Sequence, residues 1–319
     1  MEMSHIKDVA EKVKQNIQRV MIGKEDTIDQ ILVALISSGH VLLEDVPGMG
    51  KTLLAKSMAK SLDCSFKRIQ FTPDLLPTDV SGINFYNQKK GEFEFRAGPI
   101  FANIVLADEI NRATPRTQSS LLESMEEKQV TIDGETRLLD RPFMVIATQN
   151  PVENQGTFPL PEAQLDRFLL KVKLGYPTKA EGLEILKRFK ENNPIEDIKP
   201  VATSDMIIQA QNIYSKVHVS DDILGYILDI VEKTRSHSSI QLGVSPRGSQ
   251  ALLKAVQVYA LLQGRDYVIP DDVKQMSKPV LAHRIVLAQS MRLKENQAEH
   301  IIDSILNEMT VPTEEQLQR

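Results

Sequence analysis

The sequence predicts an α/β fold: a parallel β-sheet with helices on both faces, two inserted β-hairpins, and a small all-helical domain after it. Three observations carry this. Short apolar runs rich in β-branched residues alternate with helical patterns through the first half of the chain. A glycine-rich turn joins the first of those runs to a helix. Beyond "GYPTKAE" the strand signals stop and helical periodicity continues alone.

The elements follow in order. "HVLL" is the first strand and runs into "EDVPGMGKT", residues 44–52. "GKTLLAKSMAKSLD" keeps Leu53, Leu54, Ser57, Met58 and Leu62 near one face, which makes a helix of about three turns. "FKRIQF", "NIVLAD", "FMVIATQN" and "RFLLKVKL" are further strands. "INFYNQKKGEFEFRAG" alternates apolar residues around a Gly91 turn, and "QVTIDGETRLLDRPF" carries Asp133-Gly134, a strong hairpin signal. Neither hairpin adds to the main sheet, and inserts of that kind usually contact something. In the second half, Thr178 and Glu181 form a capping-box pattern, while Ser245-Pro246 and Pro270-Asp271 start helices. "DDILGYILDIVEKT" and "SQALLKAVQVYALLQG" are amphipathic. The expected division is an α/β domain at 1–177, with hairpins near 82–97 and 129–143, and a helical domain at 178–319. The end, "VPTEEQLQR", reads as a frayed tail.

Composition narrows the function. With 319 residues the chain has room for two domains, and 41% hydrophobic and 25% charged residues are ordinary globular values. A net charge of −5 without a long basic run makes nucleic acid a poor partner. The one cysteine, Cys64, excludes an internal disulfide and any multi-cysteine zinc site, and reads as a small buried hydrophobe. His5, His40, His218, His237, His283 and His300 never fall at H-x-x-x-H spacing and read as structural or surface residues. No apolar run is long enough to span a bilayer, and "MEMSHIKDVAEKVKQ" has no apolar stretch to act as a secretory signal. The expected location is the cytoplasm.

"EDVPGMGKT" nearly matches the phosphate-binding pattern G-x-x-x-x-G-K-[ST], with Asp45 where the first glycine belongs. Phosphate needs a tight strand-to-helix turn, inward N–H groups, a cation and a hydroxyl for magnesium. Gly48 and Gly50 allow the close approach, Lys51 is the cation, and Thr52 the Mg²⁺ ligand. The candidate nucleotide-binding residues are Pro47, Gly48, Met49, Gly50, Lys51, Thr52 and Leu53. Asp45 is read as lying where the strand leaves the sheet, ahead of the turn, so that only Gly48 and Gly50 need a permissive backbone.

"NIVLADEINRA" ends a buried strand in Asp108-Glu109, at the edge where ligands sit in open α/β sheets. Asp108 can hold the Mg²⁺ water shell, and Glu109 can polarise the water that attacks the γ-phosphate. Alone, such a pair is more often a solvated strand end; about 60 residues after a phosphate loop, the functional reading is favoured. "FMVIATQNP" ends in Thr148, Gln149 and Asn150, polar groups able to bond a water or the γ-phosphate, although Asn before Pro is also a common turn. Arg167 precedes the last strand and Arg247 begins a helix. Either can stabilise the charge of phosphoryl transfer, and either can be a surface salt bridge. Arg112 and Arg116, just past the acidic pair, are open to a neighbouring subunit's site or to structural pairing with carboxylates.

This order of motifs resembles an AAA+ ATPase, a P-loop NTPase. More closely, "RIQFTPDLLPTDVSG", "GPIFANIVLADEINRATPRTQSSLLESMEEKQVTIDG", "TQNPVENQGTFPLPEAQLDRF" and "GVSPRGSQAL" resemble the MoxR family, over nearly the whole chain. The resemblance implies Walker A at Gly48, Gly50, Lys51 and Thr52, Walker B at Asp108 and Glu109, sensor 1 at Asn150, the arginine finger at Arg167 and sensor 2 at Arg247. It makes the first hairpin a helix-2 insert and the second a pre-sensor-1 hairpin, both facing a ring's central pore, with 178–319 as a lid. It implies hydrolysis of ATP to ADP and phosphate with Mg²⁺, in a homo-oligomeric ring, expected to be a hexamer. The implied work is chaperone-like remodelling, maturation or cofactor insertion on partner proteins, often ones with von Willebrand factor A domains. "EDVPG", with its Glu44-Asp45, is itself part of that likeness.

A DNA-translocating motor and a metal-chelatase-type motor subunit share the fold and the hairpins. A nucleotide switch without hydrolysis is a further alternative. Net charges of +1 on the first hairpin and 0 on the second with its flanking Lys128 are too small to grip a phosphate backbone, which favours the protein remodeller over the DNA motor. The chelatase alternative is discriminated only weakly, because its work would be done on a partner subunit.

Overall fold

The computed structural model describes residues 3–150, 156–191, 193–289 and 296–312; the expected frayed tail lies outside these from residue 313. Two helices, α1 (Met3–Gln18) and α2 (Glu25–Ile36), precede β1 (Val41–Glu44) and α3 (Lys51–Ser61). Then come β2 (Phe66–Gln70), α4 (Pro77–Ser81), and the ribbon of β3 (Gly82–Asn87) and β4 (Glu92–Ala97). β5 (Ile104–Asp108) leads to α5 (Pro115–Glu127) and to the second ribbon, β6 (Gln129–Ile132) with β7 (Glu135–Leu138). β8 (Met144–Gln149), α6 (Glu162–Leu165) and β9 (Leu170–Val172) complete the α/β part.

The main sheet has the order β2-β5-β8-β1-β9 and is parallel throughout. Its apolar residues divide by the two-residue period of a strand. Val41, Leu43, Ile104, Leu106, Met144 and Ile146 enter one core, built with α1, α2, α3 and the helices of the second half. Leu42, Val105, Ala107, Val145 and Ala147 enter the other, built with α5 and the root of the second ribbon. Helices therefore cover both faces, as a parallel sheet buried on both sides requires. In α3, Leu54 and Met58 are fully buried, and truncating Leu54 to Ala would cost about 2–5 kcal/mol.

The second half contains α7 (Lys179–Glu191), α8 (Ser204–Ile213), α9 (Asp221–Ser236), α10 (Pro246–Leu262), α11 (Pro270–Leu281) and α12 (Gln297–Glu308). Their starts are chemically marked. Glu181 accepts from Thr178 N–H at 2.6 Å while Thr178 Oγ1 accepts from Glu181 N–H. Ser245 Oγ caps α10, and Asp272 accepts from Ile269 N–H at 2.9 Å to open α11. This half carries one feature that periodicity does not announce. β10 (Ile240–Leu242) and β11 (Val286–Leu287) pair antiparallel, too short to show a period of two. α10 packs on both α1 and α2, so the second half shares a core with the start of the chain. Among the described residues no helix is long and apolar enough to cross a membrane.

The hairpins stand as separate two-stranded ribbons. In the second, Asp133 and Gly134 both have positive φ, +50 and +85, the backbone that a tight two-residue turn needs. The ribbons are stitched together: Asn84 Nδ2 donates to Asp133 Oδ2 at 2.9 Å, and the Arg137 guanidinium lies 4.0 Å over the Phe95 ring.

His40, just ahead of β1, anchors the N-terminal ends of the sheet strands. It is buried, its Nδ1 accepts from Val145 N–H at 2.9 Å, and Nε2, which must then carry the hydrogen, donates to Met125 O at 2.9 Å. Burial pushes its pKa down to about 4. Below its ordinary value of about 6.5 the unfolded chain takes up a proton that the folded chain refuses until pH falls to about 4. Stability should therefore fall as pH drops through that window, by up to about 3 kcal/mol from this group. Denaturant titrations at pH 7.5 and pH 5 check this: the wild type should lose stability on acidification, and a His40→Phe variant, weaker at both, should lose less.

Candidate active site

Parallel strands deliver their C-terminal ends to one edge, and the loop after β1 turns there into α3. Gly48 and Gly50 both have φ +86, a left-handed conformation that glycine adopts without steric cost. No atom lies within 4 Å of the place a Gly48 Cβ would take, which leaves the loop open to an incoming group. α3 begins at Lys51 with no side-chain cap, so its first N–H groups face the same space. Pro47, Gly48, Met49, Gly50, Lys51, Thr52 and Leu53 line a cavity of about 510 Å³ together with Arg68, Gln70, Asp108, Glu109 and Asn150. Burial lowers the pKa of the Lys51 ammonium, and Asp108, Asp45 and Glu109 oppose that shift. Its Nζ donates to Asp45 O at 2.6 Å.

Asp108 is the last residue of β5, and Glu109 follows it at φ +58. Thr148, on β8 and fully buried, organises both. Its hydroxyl donates to Asp108 Oδ1 at 2.6 Å and accepts from Glu109 N–H at 2.8 Å. Thr148 is thus committed to the carboxylates and not offered to a ligand, unlike its sequence-based reading. Asn150 alone of the three polar residues at that strand end lines the cavity.

Two residues of β2 complete the acidic site, and sequence reasoning missed both. Arg68 reaches Asp108 Oδ2 from NH2 at 2.5 Å and from Nε at 3.1 Å. Gln70 Nε2 donates to Glu109 Oε2 at 2.9 Å, and its Oε1 accepts from Arg68 NH2 at 2.6 Å. The available signal was register: Gln70 lies opposite Asp108 at the end of a strand whose polar residues point outward. Arg112 Nε pairs with Glu109 Oε2 at 3.1 Å, a carboxylate pairing of the kind that was one of the two roles open to it. Arg116 is exposed on α5. The Thr52 hydroxyl and the Asp108 and Glu109 carboxylates in the cavity lining offer the oxygen ligands that suit a hard divalent cation.

Arg167 and Arg247 are elsewhere. Arg167 lies in the turn before β9, where Leu169 N–H donates to His40 O, at the N-terminal edge of the sheet. Arg247 is in the first turn of α10. Both grip Glu126 at the end of α5, Arg167 Nε at 3.3 Å and Arg247 NH1 at 3.1 Å, in a groove of about 460 Å³ that shares no residue with the phosphate-loop cavity. β1 alone separates the two edges by about 13 Å.

Arg284 holds this second site in shape. Almost wholly buried, it donates to Asp166 Oδ1 at 2.6 Å, Phe168 O at 2.7 Å and Leu169 O at 3.1 Å, fixing the turn that carries Arg167. Its Cδ would lie 3.1 Å from a Cβ on Gly248, next to Arg247, so the start of α10 rests on the same side chain. Burial pulls its pKa down to about 10, and Asp166 keeps it charged. His283 beside it is held well below its ordinary pKa by burial and by the Arg284 charge. Cys64 is half-buried, its thiol pushed up to about 11 by burial, as suits a packing residue.

Comparison with known proteins agrees with this geometry. Residues 40–170 match the ATPase family associated with various cellular activities (AAA), and residues 232–305 match the AAA lid domain. Chaperone MoxR1 of Mycobacterium tuberculosis is 41% identical, over 93% of this chain and 80% of that protein. Protein MoxR of Paracoccus denitrificans is 31% identical, over 92% and 93%, and the uncharacterised protein YeaC of Bacillus subtilis 54% identical, over 95% of each. The crystal structure of a candidate ATPase from Cytophaga hutchinsonii superposes with a TM-score of 0.91 at 39% identity, covering 98% of this chain and 97% of that one.

The buried and the exposed arginine contacts should differ sharply in worth. Arg284→Met leaves Asp166 without its partner and should cost about 3 kcal/mol or more. Glu126→Gln removes two solvent-facing pairs and should change stability by less than about 1 kcal/mol. Denaturant midpoints of the two variants, measured side by side, check the contrast.

Proposed function

Because the chain belongs to the MoxR family of AAA+ ATPases, we propose that it couples Mg-ATP hydrolysis to chaperone-like remodelling, maturation or cofactor insertion of partner proteins, and works as a homo-oligomeric ring, a hexamer. The observation that carries the ring is the division of the chemistry between two edges of one sheet. Phosphate loop and carboxylates share one cavity, while Arg167 and Arg247 share another on the far side. In this reading the two arginines act together on a neighbouring subunit's nucleotide, Arg247 included, and a lone subunit binds ATP but turns it over slowly.

Roles follow from position. Backbone N–H groups of the loop and Lys51 take the phosphates, and Thr52 with Asp108 would hold Mg²⁺, which supplies charge neutralisation on the β- and γ-phosphates. Gln70 and Arg112 both engage Glu109 Oε2 and orient the carboxylate that would polarise the attacking water. Asn150 orients that water or the γ-phosphate. Arg68 occupies Asp108 Oδ2, so a cation held by this carboxylate would share it with Arg68 or displace that side chain.

Residues 178–319 are the lid in this reading. The ribbons are the face offered to a protein partner: Tyr86, Phe93 and Leu138 are exposed on them, and Tyr86 and Phe93 stack edge to face at 5.3 Å. Partners with von Willebrand factor A domains and a cytoplasmic location complete the proposal, on the strength of the family likeness.

Three experiments test it. Glu109→Gln should lower turnover by about 10²–10⁴-fold with ATP still bound, the range for loss of a general base. Affinity capture with that variant and ATP should recover protein partners. Unchanged turnover would leave a nucleotide switch, and nucleic acid recovered without protein would sink the remodeller. For the shared site, Lys51→Ala and Arg167→Ala should each be inactive alone. Mixed, they should regain ATPase activity, because some interfaces then join an intact loop to an intact arginine; no recovery would contradict action across subunits.

A further inference from the structure

Asp45 stands where the phosphate-binding pattern has glycine, and glycine could make none of its side-chain contacts. Its Oδ2 accepts from Leu174 N–H, and its Oδ1 from Gly175 N–H at 3.3 Å. These residues leave β9 and lead through Pro177 into α7, the first helix of the second half. Gly175 has φ +64 with nothing within 4 Å of the place a Cβ would take, so glycine serves the backbone turn there and not a tight fit. Lys24 Nζ holds the other side of the segment, donating to Gly175 O at 3.0 Å. The linker between sheet and helices is therefore clamped by the first residue of the phosphate loop and by the start of α2.

The backbone of Asp45 faces the lysine of the phosphate loop. Its carbonyl accepts from Lys51 Nζ at 2.6 Å, and its N–H donates to Gln149 O at 3.3 Å, beside Asn150. One residue thus touches the phosphate lysine, the end of β8 and the exit to the second half.

We propose that Asp45 is a positioning residue for ATP hydrolysis: its carboxylate ties the phosphate loop to the Leu174–Gly175 segment, so that phosphate binding at Lys51 and the placement of residues 178 onward are linked. The inference rests on the ATPase reading of the loop. Phosphates compete with the Asp45 carbonyl for the Lys51 ammonium. When Lys51 turns to them, Asp45 is released on one side and its carboxylate carries the shift to the two N–H groups. Hydrogen bonds to an ionised carboxylate are strong enough to transmit it. The coupling is reciprocal, so whatever ATP does to the linker, the linker does to ATP affinity.

The test compares full-length wild type with Asp45→Gly, which restores the general pattern, and Asp45→Asn, whose amide oxygen can still accept from an N–H. Wild-type amide exchange at Leu174 and Gly175 should change when a non-hydrolysable ATP analogue binds. Asp45→Gly should exchange fast in both states and show a KM for ATP raised about tenfold, the scale of a lost hydrogen bond to a charged group. Asp45→Asn should restore most of both, which a general loss of stability would not produce. Asp45→Gly with wild-type KM and an intact ATP-dependent exchange difference would overturn the proposal alone. A wild-type protein that neither bound nor hydrolysed ATP would overturn the ATPase reading and this one with it.

Discussion

Five strands running the same way impose a polarity on everything attached to them. The loop after β1, the carboxylates ending β5 and the polar end of β8 meet at one edge because each follows a strand that stops there. No long-range attraction among them is needed. The opposite edge collects what precedes strands: His40 ahead of β1 and the Arg167 turn ahead of β9. Hydrogen bonds from both His40 and Arg284 into that edge show that it is built as carefully as the other.

At the loop edge the charges are held in a closed chain, Gln70 to Arg68 to Asp108 to Thr148 to Glu109. Each acidic oxygen that is occupied has a donor, and the hub is a hydroxyl that gives one hydrogen bond and takes another. Such a network fixes two carboxylates within one cavity without mutual repulsion driving them apart. It also means that the aspartate and glutamate answer to a different strand from the one that bears them.

The fold was legible in the sequence wherever a period or a turn chemistry repeats. The five sheet strands announce themselves as apolar runs, and Asp133-Gly134 announces its ribbon. The glycine-rich turn from β1 to α3 was legible despite Asp45, because Gly48 and Gly50 are the positions whose φ requires glycine. What stayed hidden depends on neighbours brought together by topology. Arg68 and Gln70 acquire meaning only when β2 lies beside β5 in register. Arg284 is one arginine among many until a turn more than a hundred residues earlier closes on it. Arg167 and Arg247 could each be named as candidates, but that they share Glu126 and lie across the sheet from the loop is a fact of packing.

The two outer strands of the sheet have a consequence of their own. β9 is only three residues long with Lys171 at its centre, and β2 carries exposed Lys67, Arg68 and Gln70. Short, charged edges make poor templates for a further strand. Both outer strands thus disfavour pairing with the backbone of another chain. Any assembly of this chain is then left to side-chain contacts, which salt or ligand can undo, whereas cross-β pairing resists both.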